Sequence, residues 1–217
     1  MRRFLLSIGA VFILVSCSNA GGNAVETTPP SVQADPSTAS SYFSAKDKDE
    51  LSALDFDAAY AMCVTALAEY YKAVWNGSGM NGDTYFTNEN LRRYMQKKIT
   101  FLYDLHHRNS GSLHTVAALD TGVIKAELDS KGNNAFFYFK LAARVKQDTG
   151  SFSEPTEFLV QNLDGQLIIA DWYTGTKDSY DFLMRGERQI INNPAIWDDN
   201  EWAGKLLDRK ETFTPMR

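Results

Sequence analysis

Asp171 is the residue whose type and setting best suit chemistry in this 217-residue chain. It lies in QLIIADWY, directly after Asp164-Gly165. An Asp-Gly pair between two apolar runs specifies a two-residue hairpin turn. Counting from that turn, Leu163 pairs with Gln166, Asn162 opposes Leu167, Val160 opposes Ile169 and Phe158 opposes Asp171. Phe158, Val160, Leu167 and Ile169 then share the more apolar face, with Asp171 and Tyr173 at its end. A carboxylate on that face is desolvated, which raises its pKa, as a general base or a ligand hook requires. Tyr60, Tyr71 or Tyr173 would supply a hydroxyl to a developing oxyanion. The blander alternative, an aspartate at the strand mouth, in water or paired with a lysine or arginine, is the favoured one. The expected pocket is therefore Asp171, Tyr173, Phe158, Tyr60 and Tyr71, with no catalytic residue assigned.

Other reactive types fall short of a constellation. His106 and His107 are neighbours on a predicted helix, so their side chains point about 100° apart and do not converge on one ion. Neither they nor His114 belong to a His-Glu-x-x-His or Cys/His pattern, and no metal or other cofactor is expected. Asp178, Asp181, Asp198 and Asp199 read as a solvated acidic surface. The stretch from Asp198 to Glu211 lacks the alternation and glycine of a calcium loop. Trp172, Trp197, Trp202, Tyr173 and Tyr180 are expected in the core rather than as a sugar-stacking face. Nucleophile-elbow, phosphate-loop and dinucleotide fingerprints are absent from the sequence.

Two helices and a run of strands must position these groups. Phe56, Tyr60, Cys63, Leu67, Tyr70 and Val74 recur at helical spacing, with Asp55 as the expected N-cap and Gly77 as the stop. Cys63 on that stripe reads as a buried small hydrophobe. A second helix starts at Thr87 or Asn88 and carries Leu91, Tyr94, Met95, Ile99, Leu102 and Leu105. Lys97, Lys98 and Arg108 then load its C-terminal half with charge that suits the helix dipole. Beyond Gly111 the period changes to two. LHTVAAL and GVIKAEL read as strands, or as one strand kinked at Asp120-Thr121-Gly122. NAFFYFKLAARVK buries Phe137, Phe139, Leu141, Ala143 and Val145; TEFLVQNL and QLIIADWY flank the turn. A polar helical tail over parts of 179–210 is interrupted at Asn192-Asn193-Pro194. Helices segregated from a strand meander make an α+β fold, with a curved antiparallel sheet and a C-terminal helical tail.

The first fifty residues give a cellular address. Met1-Arg2-Arg3 precedes an apolar run, Phe4 to Val15, that is shorter than the about 20 residues needed to span a bilayer. Leu14-Val15-Ser16-Cys17 resembles the bacterial lipobox. That resemblance implies a signal peptide over 1–16, cleavage before Cys17, and diacylation of the Cys17 thiol. The acyl chains, palmitate among them, would anchor the chain to a bacterial membrane on its extracytoplasmic side. Residues 17–50 read as the lipidated cysteine and a flexible tether, too poor in large apolar side chains to offset chain entropy. The formal charge of −5, more negative once Arg2 and Arg3 are removed, argues against nucleic acid and against electrostatic adhesion to anionic lipid.

The element order, with FLVQNLDGQLIIADWY near its end, resembles the nuclear transport factor two-like superfamily over roughly residues 52–185. The resemblance implies a cone: a curved sheet wrapped around N-terminal helices, with a pocket inside. It makes 51–185 the domain and 186–217 a tail packing on it. That superfamily hosts binding modules, accessory domains and enzymes, so fold does not settle function. The expectation is a membrane-anchored cell-envelope lipoprotein serving as a non-catalytic binding or accessory module. Its partners would be the membrane and an envelope protein or small ligand, with homodimers through the sheets or tail. The alternative is a cofactor-free isomerase or cyclase using a pocket aspartate as base.

Overall fold

Alanine-rich, Pro-free sequence makes the first helix, α1 (Phe56–Asn76), a strong helix former, and it buries a stripe broader than the expected one. Ala59, Met62, Cys63, Ala66, Leu67, Tyr70, Tyr71, Ala73 and Val74 are all buried. Asp55 holds the N-cap position of α1 without capping it through its side chain. Its carboxylate turns back instead, accepting the Lys46 and Ser52 amides at 2.6 and 2.8 Å. Gly77 ends the helix with φ +69°, and a Cβ there would lie 2.8 Å from the Tyr103 ring. The computed structural model describes residues 43–110, 114–130, 135–175, 177, 179–186 and 191–210. The chain divides into two units, Met1–Gln33 and Ala34–Arg217, and the described residues belong to the second. The signal peptide, Cys17, tether residues 17–42, Asp178 and Glu211 lie outside the described residues.

The second helix, α2 (Glu89–Ser110), is capped by Asn88, whose Oδ1 accepts the Asn90 and Leu91 amides. Four antiparallel strands follow in the order β1-β2-β3-β4: β1 (Val116–Asp129), β2 (Phe136–Gln147), β3 (Gly150–Leu163) and β4 (Gln166–Thr174). β1 is one continuous strand, and its pairing with β2 shifts at two places, around Ala117 and Ile124, rather than at Asp120-Thr121-Gly122. Alternation in β2 is as expected, with Phe137, Phe139, Leu141, Ala143 and Val145 buried in one row. Phe152, Phe158, Val160, Leu167, Ile169 and Trp172 continue that face against α1 and α2. Truncating a fully buried member such as Phe139 or Phe158 to alanine costs about 3–5 kcal/mol. Two short helices complete the described chain, α3 (Tyr180–Arg185) and α4 (Asn200–Asp208), with a single 3-10 turn at Ile196–Asp198. The fold is α+β. No helix among the described residues is long and apolar enough to cross a membrane.

Residues 43–50 are not tether. Phe43 is buried, Ser44 bridges to Gln166, and the Leu167 amide donates to the Phe43 carbonyl at 2.8 Å. The Asn162 amide group donates to the carbonyls of Asp47, Lys48 and Glu50, while its oxygen accepts from Gly165. The folded unit therefore begins at or before Phe43, eight residues upstream of the expected boundary at Leu51. Backbone pairing docks this stretch, and backbone pairing leaves no mark on side-chain composition.

Candidate functional site

Asp171 faces the opposite side of the sheet from the one its turn count gives. The Asp164-Gly165 turn is present, with Leu163 paired to Gln166 and Asn162 to Leu167. Pairing then slips between Leu159 and Val160: Val160 meets Ile169 but Leu159 meets Asp171, leaving Ala170 as the extra residue of a bulge. Every later side chain on β4 changes face. Phe158 opposes Trp172, and Trp172 takes the inner position expected of Asp171. Asp171 pairs with Leu159 on the outer side instead, and Tyr173 packs there with Leu159 and Ile191.

On that outer face Asp171 is fully buried and fully engaged. Arg185 of α3 binds both its oxygens, at 3.0 and 2.8 Å, and Trp197 donates its indole N–H at 2.8 Å. The Trp172 amide adds a fourth bond. The guanidinium also lies within 5.5–5.9 Å of the Tyr173, Trp197 and Trp202 rings. With three hydrogen bonds on Oδ1 and the guanidinium on Oδ2, Asp171 is a structural clamp that ties Arg185 and Trp197 to β4. The favoured reading, pairing with a lysine or arginine, holds, though in the interior rather than at a wet mouth.

The expected pocket set disperses. Tyr60 bonds Thr121 on β1 at 3.0 Å, Phe158 is core, and Tyr173 is outside. Tyr71 alone of the five lines a recess, of about 230 Å3, between α1, α2 and the β3–β4 end of the inner sheet face. Its carboxylate is Glu154, half-buried, which accepts the Tyr71 hydroxyl on Oε2 at 2.9 Å. The second oxygen, Oε1, takes no hydrogen bond from the described residues. Gly175, at φ +97°, lies close beside that oxygen: a Cβ there would come within 2.8 Å of it and 2.4 Å of the Ser179 side chain, so only glycine fits. Burial raises the Glu154 pKa above the ordinary carboxylate range, while Lys98 and the Tyr71 hydroxyl partly offset the rise. Burial and the neighbouring Glu154 push the Tyr71 phenol far up, so it stays a donor.

Lys98 lines this recess, with Asp181 bonded behind it. Lys98 is not a surface charge at a helix end, nor Asp181 a solvated acid; both are fully buried and bonded at 2.6 Å. Asp181 also accepts the Tyr94 hydroxyl and the Thr174 amide, each at 2.6 Å. The walls are aromatic: Tyr70 against Tyr71 at 5.1 Å, and Phe152 against both Tyr71 and Trp75. At the rim His106 stacks flat on Trp75, ring centroids 3.7 Å apart, and burial lowers its pKa.

Glu154 escaped the sequence reading because Pro155 truncated the predicted strand. A proline is tolerated there because the position lies at the end of the β3–β4 ladder, where its carbonyl accepts the Gly175 amide at 2.8 Å and its missing N–H costs one terminal bond. The signal was present: Phe152, Glu154, Thr156, Phe158 and Val160 alternate in one parity, which carries Glu154 to the inner face. A larger, open depression of about 640 Å3 lies on the outer sheet face; of its carboxylates, Glu157 is taken by Tyr138 and Lys140 and Glu127 by Lys125, with Asp129 at its edge. Among the described residues no cluster of three or more His, Cys, Asp or Glu side chains could hold a metal ion.

No family model matches the sequence, and no curated protein matches it. A solved 2.5 Å structure from Catenulispora acidiphila is similar at 15% identity, covering 56% of this chain and 93% of the other, with a TM-score of 0.35. At that level it carries no argument about function.

Proposed function

We propose that this chain is a lipid-anchored module of a bacterial cell envelope that holds a small ligand without transforming it. The observation that supports the reading is the recess itself: an aromatic-walled hollow with one carboxylate whose second oxygen takes no hydrogen bond from the described residues. Concave, mostly apolar sites with a few placed polar groups are where small molecules bind. The rival reading, an isomerase with an aspartate base, loses its base, since both Asp171 oxygens are held by Arg185. On this reading the domain is a nuclear transport factor two-like cone with a packed C-terminal tail, and its support is the order of two helices followed by four antiparallel strands. The lipobox-like Leu14-Val15-Ser16-Cys17 supplies the extracytoplasmic anchor.

Two measurements test this. Cys17→Ala should abolish fatty-acid labelling and move the protein out of the membrane fraction; a mutant that stays in the membrane, with an unlabelled parent, ends the lipoprotein reading. Titration of the full chain with small aromatic probes should shift the methyl NMR signals of Val74 and Leu102, which line the recess. Leu102→Trp, which fills the space, should abolish those shifts. A recess that takes no probe, in a well-folded protein, ends the binding-module reading.

A further inference from the structure

We propose that the recess selects a small organic cation, its ammonium group seated on Glu154 Oε1 and its carbon body held between the aromatic rings. This rests on the binding-module reading and adds the ligand class to it.

Charge bookkeeping of the lining carries the inference. The Lys98 ammonium is bonded to Asp181 Oδ2, and that carboxylate is further occupied by Tyr94 and Thr174. Lys98 acts on Glu154 only through space; Glu154 Oε2 takes the Tyr71 hydroxyl, and Oε1, beside Gly175 and Ser179, takes no hydrogen bond from the described residues. Burying a carboxylate without a counter-charge is costly, and a bound cation removes that cost. An anionic ligand would set two carboxylates together in a water-poor hollow, which is repulsive. A neutral hydroxyl could bond Oε1, but a charge-assisted bond is roughly twice as strong.

The walls agree with the floor. Tyr70, Tyr71 and Phe152 present ring faces and edges around the space, a setting in which a cation gains from the ring quadrupoles. The fold already uses this wall once: the Lys98 ammonium sits 4.9 Å from the centroid of Tyr70. His106 does not oppose a cation at neutral pH, because its burial against Trp75 favours the uncharged ring.

The test compares three probes of one shape, benzylammonium, benzyl alcohol and benzoate, titrated into the full chain in detergent at neutral pH. Benzylammonium should bind roughly tenfold more tightly than benzyl alcohol, with benzoate weakest of the three. Glu154→Gln, which keeps the shape and an acceptor for Tyr71, should bring benzylammonium down to the level of the alcohol and leave the alcohol unchanged. Glu154→Asp, which keeps the charge, should retain the preference. Equal binding of the three probes, or a preference for benzylammonium that survives in Glu154→Gln, overturns the cation inference and leaves the recess as a ligand site. Absence of binding by all three, with Leu102→Trp indistinguishable from the parent, overturns both.

Discussion

Glu154 and Asp171 are two acids whose fates were set by their surroundings. Asp171 has a guanidinium on both oxygens and is spent on structure; Glu154 has a phenol on one and nothing described on the other. The Glu154 pKa is raised in the folded state, so between its unfolded and folded values the native protein binds more protons than the unfolded chain. Stability contributed by this group is therefore present at low pH and lost as pH rises through that window. Glu154→Gln should flatten that fall and make the protein more stable than the parent at neutral pH. Denaturant midpoints measured from pH 4 to pH 8 check it; parallel curves would show that Glu154 is not desolvated. Arg185→Ala is expected to go the other way. Removing one partner of a buried ion pair strands the other, at a cost of about 3–5 kcal/mol in urea unfolding. Lys98 and Asp181 were legible as charges but not as buried charges, and Asp171 as a candidate for burial but not on the face or with the partner it has. Their burial depends on partners 83 and 14 residues away, which no local pattern reveals.

Elements were easier to read than the faces they present. The periods of α1, α2 and β2 and the Asp164-Gly165 turn follow from side-chain spacing alone, because a helix stripe and a strand alternation are local. The parity of β4 was not local. One extra residue at Ala170 moved Asp171 and Tyr173 outward and Trp172 inward, although the count from the turn was correct as far as Val160. Deleting Ala170 should therefore cost at least as much stability as Arg185→Ala. It would carry Asp171 away from Arg185 and turn Trp172 out of the core in the same step. Equilibrium unfolding of the two variants side by side decides this; a deletion that folds as well as the parent would show that the bulge is dispensable.

At the scale of the molecule, the folded unit is longer at its N-terminus than the composition of residues 17–50 implies. Limited proteolysis should cut upstream of Phe43 and leave 44–50 intact, because their carbonyls are held by Asn162. Asn162→Ala should cost about 1–3 kcal/mol and extend cleavage into that stretch. Mass spectrometry of the fragments reads both. Prompt cutting between Ser44 and Glu50 in the parent would mean that the docked segment opens readily.

The site of that docking has a directional consequence. The N-terminal segment joins the fold at the Gly165 tip of the β3–β4 hairpin, whereas Glu154 and Thr174 lie at the other end of the same strands. At about 3.3 Å per residue the two poles stand roughly 30 Å apart along β3. The two ends of these strands can therefore be perturbed separately: Asn162→Ala, which loosens the docked segment at the tip, should leave probe binding at the Glu154 end unchanged.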